Sequence, residues 1–139
     1  MAYKGFPPSL KTLDGIDTEK IPSLQEQPVQ SSILMPTQLI AGQANVISGY
    51  AYSGGGRGIV RVDVSVDNGQ TWIQARLGEG SQQDLNKSWA WTFWECDVLV
   101  PDTKSQLTVI CKATDASYNV QPDSVAGIWY AFLILFLFF

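Results

Sequence analysis

Histidine is absent from all 139 residues of this chain. That gap removes the commonest general base at neutral pH and the commonest metal ligand together. A Ser-His-Asp triad cannot be assembled, and a zinc site would need two cysteines plus carboxylates. Charge is scarce too: 16% of the residues are Asp, Glu, Lys or Arg, against roughly 25% in a typical soluble domain. The nine basic residues stand singly and the net charge is -4. No basic stripe is therefore available to neutralise consecutive phosphates, and nucleic acid is not an expected partner. Long apolar runs are also missing. Ala131 to Phe139 is about half of what crosses a bilayer, and adding Ile128 to Tyr130 does not close the gap, so no membrane span is expected. Met1 to Leu10 holds one lysine and no apolar core, which argues against a secretory or transit segment there.

What is present suffices for one domain: 45% of residues are hydrophobic, and two separate cores in so short a chain would each bury too little. Residues 1–28 carry Pro7-Pro8, Pro22 and Pro28 too close together for a helix to propagate. They read as an extended arm, and Tyr3, Phe6, Leu10, Leu13, Ile16 and Ile21 are enough apolar residues to lay it on a surface, that of a missing domain included.

From Val29 the pattern turns to short runs of period two separated by turn signals, the spacing of an all-β sandwich. In Asn45 to Tyr52, Val46, Ser48, Tyr50 and Tyr52 share one face, and Ile47, Gly49 and Ala51 the other. In Ile59 to Val66 the alternation predicts Val60, Val62, Val64 and Val66 inward, with Arg61, Asp63 and Ser65 in water. Asp67-Asn68-Gly69-Gln70 is a hairpin signal leading to a strand over Thr71 to Leu77. Gly78 to Ser88 reads as a loop. Trp89, Trp91 and Phe93 then share a face, and the change of face at Trp94 and Cys96 predicts a bulge. Leu107 to Ala113 places Leu107, Val109, Cys111 and Ala113 together. Tryptophans in such strands usually fill the space between sheets, so Trp72 and Trp91 are expected to be buried. No long amphipathic helix is legible.

Three features invite a chemical reading. Ser53-Gly54-Gly55-Gly56-Arg57-Gly58 is glycine-rich, but it leads into a strand rather than a helix N-terminus and lacks the ending of a phosphate loop, so it reads as a tight turn. Arg57 either grips an anion or a carboxylate of a neighbouring domain, or is a solvated turn residue. Cys96 and Cys111 either bridge the two sheets or are two buried thiols. The carboxylates Asp63, Asp67, Glu95, Asp97, Asp102, Asp115 and Asp123 are too dispersed for a calcium loop and read as surface charge. No catalytic, cofactor-binding or metal-binding residue is assigned.

Taken in order, Tyr3-Lys4-Gly5-Phe6, Val29-Gln30-Ser31, Gly49 through Arg57, Arg61-Val62-Asp63-Val64-Ser65-Val66-Asp67, Thr71-Trp72, Trp89-Ala90-Trp91, Cys111-Lys112-Ala113, Tyr118-Asn119-Val120-Gln121-Pro122-Asp123 and Ile128-Trp129 resemble the dimerisation domain of the sulfite oxidase family of molybdenum cofactor oxidoreductases. Eukaryotic nitrate reductases share the domain. Arg57 after the glycines and Tyr118 through Pro122 look more like the sulfite branch.

The resemblance implies an immunoglobulin-like antiparallel β-sandwich over residues 29–130, the extended arm over 1–28 and an aberrant apolar tail over 131–139. It implies a homodimer formed through the sandwich, and a molybdopterin-binding domain in the complete enzyme, which oxidises sulfite to sulfate. No cofactor is expected in this chain, and Cys96 and Cys111 are not to be mistaken for the molybdenum ligand. In the family pattern an Asn-Leu-Arg-Gly segment with a substrate-holding arginine follows Ile-Trp; here Tyr130 to Phe139 stands instead. The chain is therefore expected to be inactive alone. The apolar tail can supply a replacement strand, but one without face alternation and prone to aggregate. Animal relatives of this kind imply the mitochondrial intermembrane space. A free-standing immunoglobulin-like binding module, and a subunit completed in trans by a separate molybdopterin domain, are the rival readings.

Overall fold

A computed structural model describes residues 4–5, 12–36, 38–102, 106–121 and 135–138, with Gln106 and the last segment described as backbone only. Eight strands follow one another: β1 (Gln30–Met35), β2 (Ala44–Tyr52), β3 (Ile59–Ser65), β4 (Ile73–Gln74), β5 (Arg76–Leu77), β6 (Thr92–Leu99), β7 (Gln106–Asp115) and β8 (Leu135–Phe138). They form two four-stranded sheets, β1-β2-β6-β5 and β4-β3-β7-β8. Every pairing is antiparallel. Among the described residues there is no α-helix, only a 3-10 turn at Thr18–Lys20. No described helix is long and apolar enough to cross a membrane.

The two inner faces close on each other through residues of one parity per strand. Ile33 of β1, Ile47 and Ala51 of β2, Val62 and Val64 of β3, and Val109, Cys111 and Ala113 of β7 are all buried. Each fully buried aliphatic chain contributes roughly 1.5–3 kcal/mol, so this alternation is what holds the sheets together. The face sharing expected for β2 and β7 is observed. In β6 the buried set is Thr92, Trp94, Cys96 and Val98, with Phe93, Glu95, Asp97 and Leu99 outside. The register against β2 runs unbroken from Ala51↔Thr92 to Ala44↔Leu99. The bulge expected at Trp94 is therefore absent, and Trp91 lies outside at 52% exposure while Trp72 is half-buried. Parity explains the error: once Trp94 is the core residue, Trp91 and Phe93 must face the other way.

A register shift between Ile59 and Arg61, opposite Asp115 and Thr114, puts Val60 outside rather than in the core. Asp63 and Ser65 do not face open water; both are buried. Asp63 takes a bond from Arg61 Nε at 2.8 Å, and the Ser65 hydroxyl accepts the Gly69 N–H at 2.8 Å and donates to Asp67 at 2.8 Å. The segment expected as one strand over Thr71 to Leu77 divides between the sheets. Ile73 and Gln74 pair with β3, Ala75 is buried, and Arg76 and Leu77 pair with β6. A single buried alanine is slim enough to let the chain step from one sheet to the other.

The hairpin turn is as expected, with Asn68 at φ 61° and Gly69 at φ 85°. Asp67 holds it, accepting from Thr71 N at 2.8 Å and Thr71 Oγ1 at 2.5 Å. Those Thr71 bonds, with help from Ser65, pull the Asp67 carboxyl down to about 2 from an ordinary 3.8. A group with a depressed folded value stabilises the fold above its unfolded value, and that contribution is lost as pH falls through the folded one. Acid unfolding followed by tryptophan fluorescence is expected to show stability declining below 3.8 and still falling toward 2. In Asp67→Asn this part of the decline is expected to flatten.

β8 pairs with β7 from Gln106↔Phe138 to Val109↔Leu135. The apolar tail thus does contribute strand backbone to the edge of the second sheet. The remainder of the tail, and Pro122 through Tyr130 before it, lie outside the described residues.

Candidate functional site

The glycine-rich segment follows β2 and turns through Gly55 at φ 68° and Gly56 at φ 72°, left-handed values that favour glycine. Three neighbours clamp it. The Gly54 N–H bonds to Gln27 O of the arm at 2.9 Å, Gly58 N to Leu85 O at 2.6 Å, and Ser88 N to Gly56 O at 2.9 Å. The turn presents Arg57 inward across the end of the sandwich. Its Nε lies 3.0 Å from Asp115 Oδ2 and 3.3 Å from Ser53 Oγ, and its Nη1 lies 2.5 Å from Glu26 Oε2. Arg57 grips two carboxylates, and both belong to this chain rather than to a neighbouring domain.

Asp115 is the centre of this cluster and was not legible as such; it was expected at the surface, yet its side chain is fully buried. Burial by itself pushes its carboxyl up. Bonds from Asn119 Nδ2 at 2.9 Å, Ser53 Oγ at 2.7 Å and the backbone N–H groups of Asn119 and Ser117 at 3.0 and 2.9 Å outweigh this and hold it below the ordinary range. The backbone bonds make Asp115 the cap of a turn that carries Tyr118 at φ 60° and leaves it 83% exposed. The sequence signal was an Asp followed by a polar turn, since an Asp side chain accepts from the backbone two residues on, here Ser117 N, as in an Asx turn. Beside it lies a groove of about 420 Å³ lined by Glu26, Pro28, Val29, Arg57, Asn119, Val120 and Gln121.

The two cysteines are free and buried, in line with the thiol reading. Burial pushes Cys111 up to about 11, although Ser31 Oγ lies 3.3 Å from its sulfur. Burial, then the nearby Asp97, raises Cys96. A metal-binding cysteine has to be a reachable thiolate, and these buried, protonated thiols do not fit that role. Among the described residues no group of three or more Cys, Asp or Glu could hold a metal ion.

The described surface is not uniform. The outer face of β1-β2-β6-β5 carries Met35, Val46, Phe93 and Leu99, all exposed, and Tyr50 stacked on Trp91 with ring centroids 4.3 Å apart. The described outer face of the other sheet carries the Arg61–Asp63 ion pair and Lys112 lying 3.9 Å over the Trp72 ring.

Residues 21–134 match the family model described as the Mo-co oxidoreductase dimerisation domain. The chain belongs to this family. Relatives of the Mo-co dimerisation domain include a mitochondrial sulfite oxidase of Rattus norvegicus, 51% identical over 130 residues, and that of Homo sapiens, 47% identical over 129 residues. Each alignment covers 91% of this chain and 23% of the relative. A nitrate reductase [NADH] of Arabidopsis thaliana is 36% identical over 115 residues, 82% of this chain and 12% of that protein. Among solved structures, the sulfane dehydrogenase SoxCD from Paracoccus pantotrophus matches with a TM-score of 0.54 and 35% identity, over 69% of this chain and 24% of that one. The chain thus spans about a quarter of the length of the sulfite oxidases it matches. The all-β sandwich expected from the sequence and the dimerisation-domain resemblance both stand.

Proposed function

We propose that this chain is the subunit-pairing module of a sulfite oxidase-type molybdenum enzyme and is not catalytic by itself. One observation carries the reading: a sandwich about half identical to animal sulfite oxidases across 91% of the chain, corresponding to the domain whose family is described by dimerisation. In such an enzyme sulfite is oxidised to sulfate at molybdenum held by molybdopterin in another domain, and two sandwiches pair to make a homodimer. Residues 1–28 link the sandwich to that domain. Arg57 secures the arm by tying its Glu26 to Asp115 of the sandwich. Sulfite is favoured over nitrate as the parent enzyme's substrate because identity is 51% to the rat sulfite oxidase and 36% to the nitrate reductase. The rat, mouse and human relatives are named mitochondrial, which supports a mitochondrial location; the intermembrane space is the compartment proposed within it.

Purified chain supplied with molybdopterin and sulfite is expected to reduce no electron acceptor, and to sediment as a dimer at micromolar concentration. Sulfite-dependent turnover by the chain alone overturns the non-catalytic part of the reading. A monomer at that concentration overturns the pairing part.

A further inference from the structure

We propose that Asn68 is a site of spontaneous deamidation, held in check in the folded chain by Ser65 at the end of β3 and Asp67 in the turn. The reaction is an internal acyl transfer. The backbone nitrogen of Gly69, once deprotonated, attacks the side-chain carbonyl carbon of Asn68. The new N–C bond closes a five-membered succinimide, and the carboxamide nitrogen leaves as ammonia, taking up the proton that Gly69 lost. Water then opens the imide at either carbonyl, giving aspartate or, with the backbone routed through the side chain, isoaspartate. The balance is one water consumed and one ammonia released.

The sequence singles out this asparagine among four, Asn45, Asn68, Asn86 and Asn119. A side chain on the following residue crowds the attacking nitrogen, most of all when it is β-branched. Val46 follows Asn45, Lys87 follows Asn86 and Val120 follows Asn119, whereas Gly69 has no Cβ at all. The fold restrains two of the others directly. The Asn45 carboxamide bonds to the Ile40 backbone and to Gln43 O, and the Asn119 carboxamide donates to Asp115. Asn68 is exposed to water, and among the described residues its carboxamide makes no hydrogen bond.

At Asn68 the restraint falls instead on the attacking nitrogen. The Gly69 N–H donates to Ser65 Oγ at 2.8 Å, and the Ser65 hydroxyl donates in turn to Asp67 Oδ1 at 2.8 Å. Loss of the amide proton breaks the first of these bonds, and it sets a negative nitrogen one hydroxyl away from a carboxylate, which disfavours the anion. The imide nitrogen carries no hydrogen, so its bond to Ser65 is not recovered. Isoaspartate then adds a backbone methylene between β3 and β4, and either product puts a second carboxylate beside Asp67. Both changes work against the hairpin.

The test is incubation of the folded full chain at mildly alkaline pH as wild type, Ser65→Ala, Asp67→Ala and Asn68→Gln. Peptide mass mapping locates the product, with fragmentation that separates aspartate from isoaspartate. Near-ultraviolet circular dichroism reports whether each variant is folded, and hydrogen exchange reads the Gly69 amide. The wild type is expected to convert at residue 68 ahead of the other three asparagines. Folded Ser65→Ala is expected to convert about tenfold faster, equivalent to about 1.4 kcal/mol, with faster exchange at Gly69. Asp67→Ala is expected to shift both rates in the same direction, and it decides the matter should Ser65→Ala not fold. Asn68→Gln is expected to give no product there, because a six-membered ring closes far more slowly. Product appearing first at another asparagine overturns the site. Either folded variant, Ser65→Ala or Asp67→Ala, converting no faster than the wild type overturns the restraint.

Discussion

Asp115→Ala is expected to lower the stability of the sandwich by about 3–5 kcal/mol, the range for breaking a buried ion pair by removing one partner. For a chain of this length that is a fall in melting temperature of roughly 10–17 °C. The size of the effect follows from how much converges on one buried carboxylate. It accepts from Arg57 and Ser53 across the glycine turn, and from Ser117 and Asn119 within its own turn. Its removal orphans donors on two loops and leaves the Arg57 guanidinium facing an apolar methyl. Arg57→Ala is expected to cost less, about 1.5–3 kcal/mol, the range for a hydrogen bond to a charged group, because the remaining donors still satisfy Asp115. Denaturant melts of the two variants order them. Equal losses, or a smaller loss for Asp115→Ala, remove Asp115 from the centre of the cluster.

Trp94→Ala is expected to cost about 3–5 kcal/mol, the range for emptying an aromatic site in a core. Trp94 is fully buried, the largest such side chain in the described core, and it faces Gly49 across the β2–β6 ladder. Its indole Nε1 has no hydrogen-bond partner among the described residues. Trp94→Phe is therefore expected to lose less than half as much, since it leaves a smaller void and deletes an unsatisfied donor. The same packing dictates Gly49: a Cβ there meets the Ser32 carbonyl oxygen and the Trp94 ring, so Gly49→Ala is expected to destabilise by about 1–3 kcal/mol through overpacking. Chemical denaturation of the three variants checks the series. A Trp94→Phe loss as large as that of Trp94→Ala contradicts the role given to the orphaned donor.

How far the sequence could be read depends on the kind of feature. Strand existence was legible because burying one face of a strand writes itself into every second residue, as in Ile47, Gly49 and Ala51. The hairpin was legible because Asn68-Gly69 is one of few pairs that adopt two left-handed residues in succession. Parity in β6 was not. Trp89, Trp91 and Phe93 on one side, and Trp94 and Cys96 on the other, offer two apolar faces, and only the partner sheet selects which becomes core. The inward count in β3 failed where the register shift at Val60 moved one residue out of phase, and a bulge has no side-chain pattern of its own. Asp115 was missed for a related reason. A carboxylate can be buried only where donors converge on it, and Arg57, Ser53 and Asn119 come from different parts of the chain.

The sequence by itself determined that this is a β-sandwich with a glycine turn, without histidine, and of the Mo-co dimerisation type, because composition, alternation and ordered motifs are properties of the chain read in one dimension. The tertiary structure decided which aromatic residues are core and which stay outside, and that Arg57 spends itself on Asp115 and Glu26. Those are outcomes of pairing between strands distant in sequence, and burial and hydrogen bonding act on what is near in space.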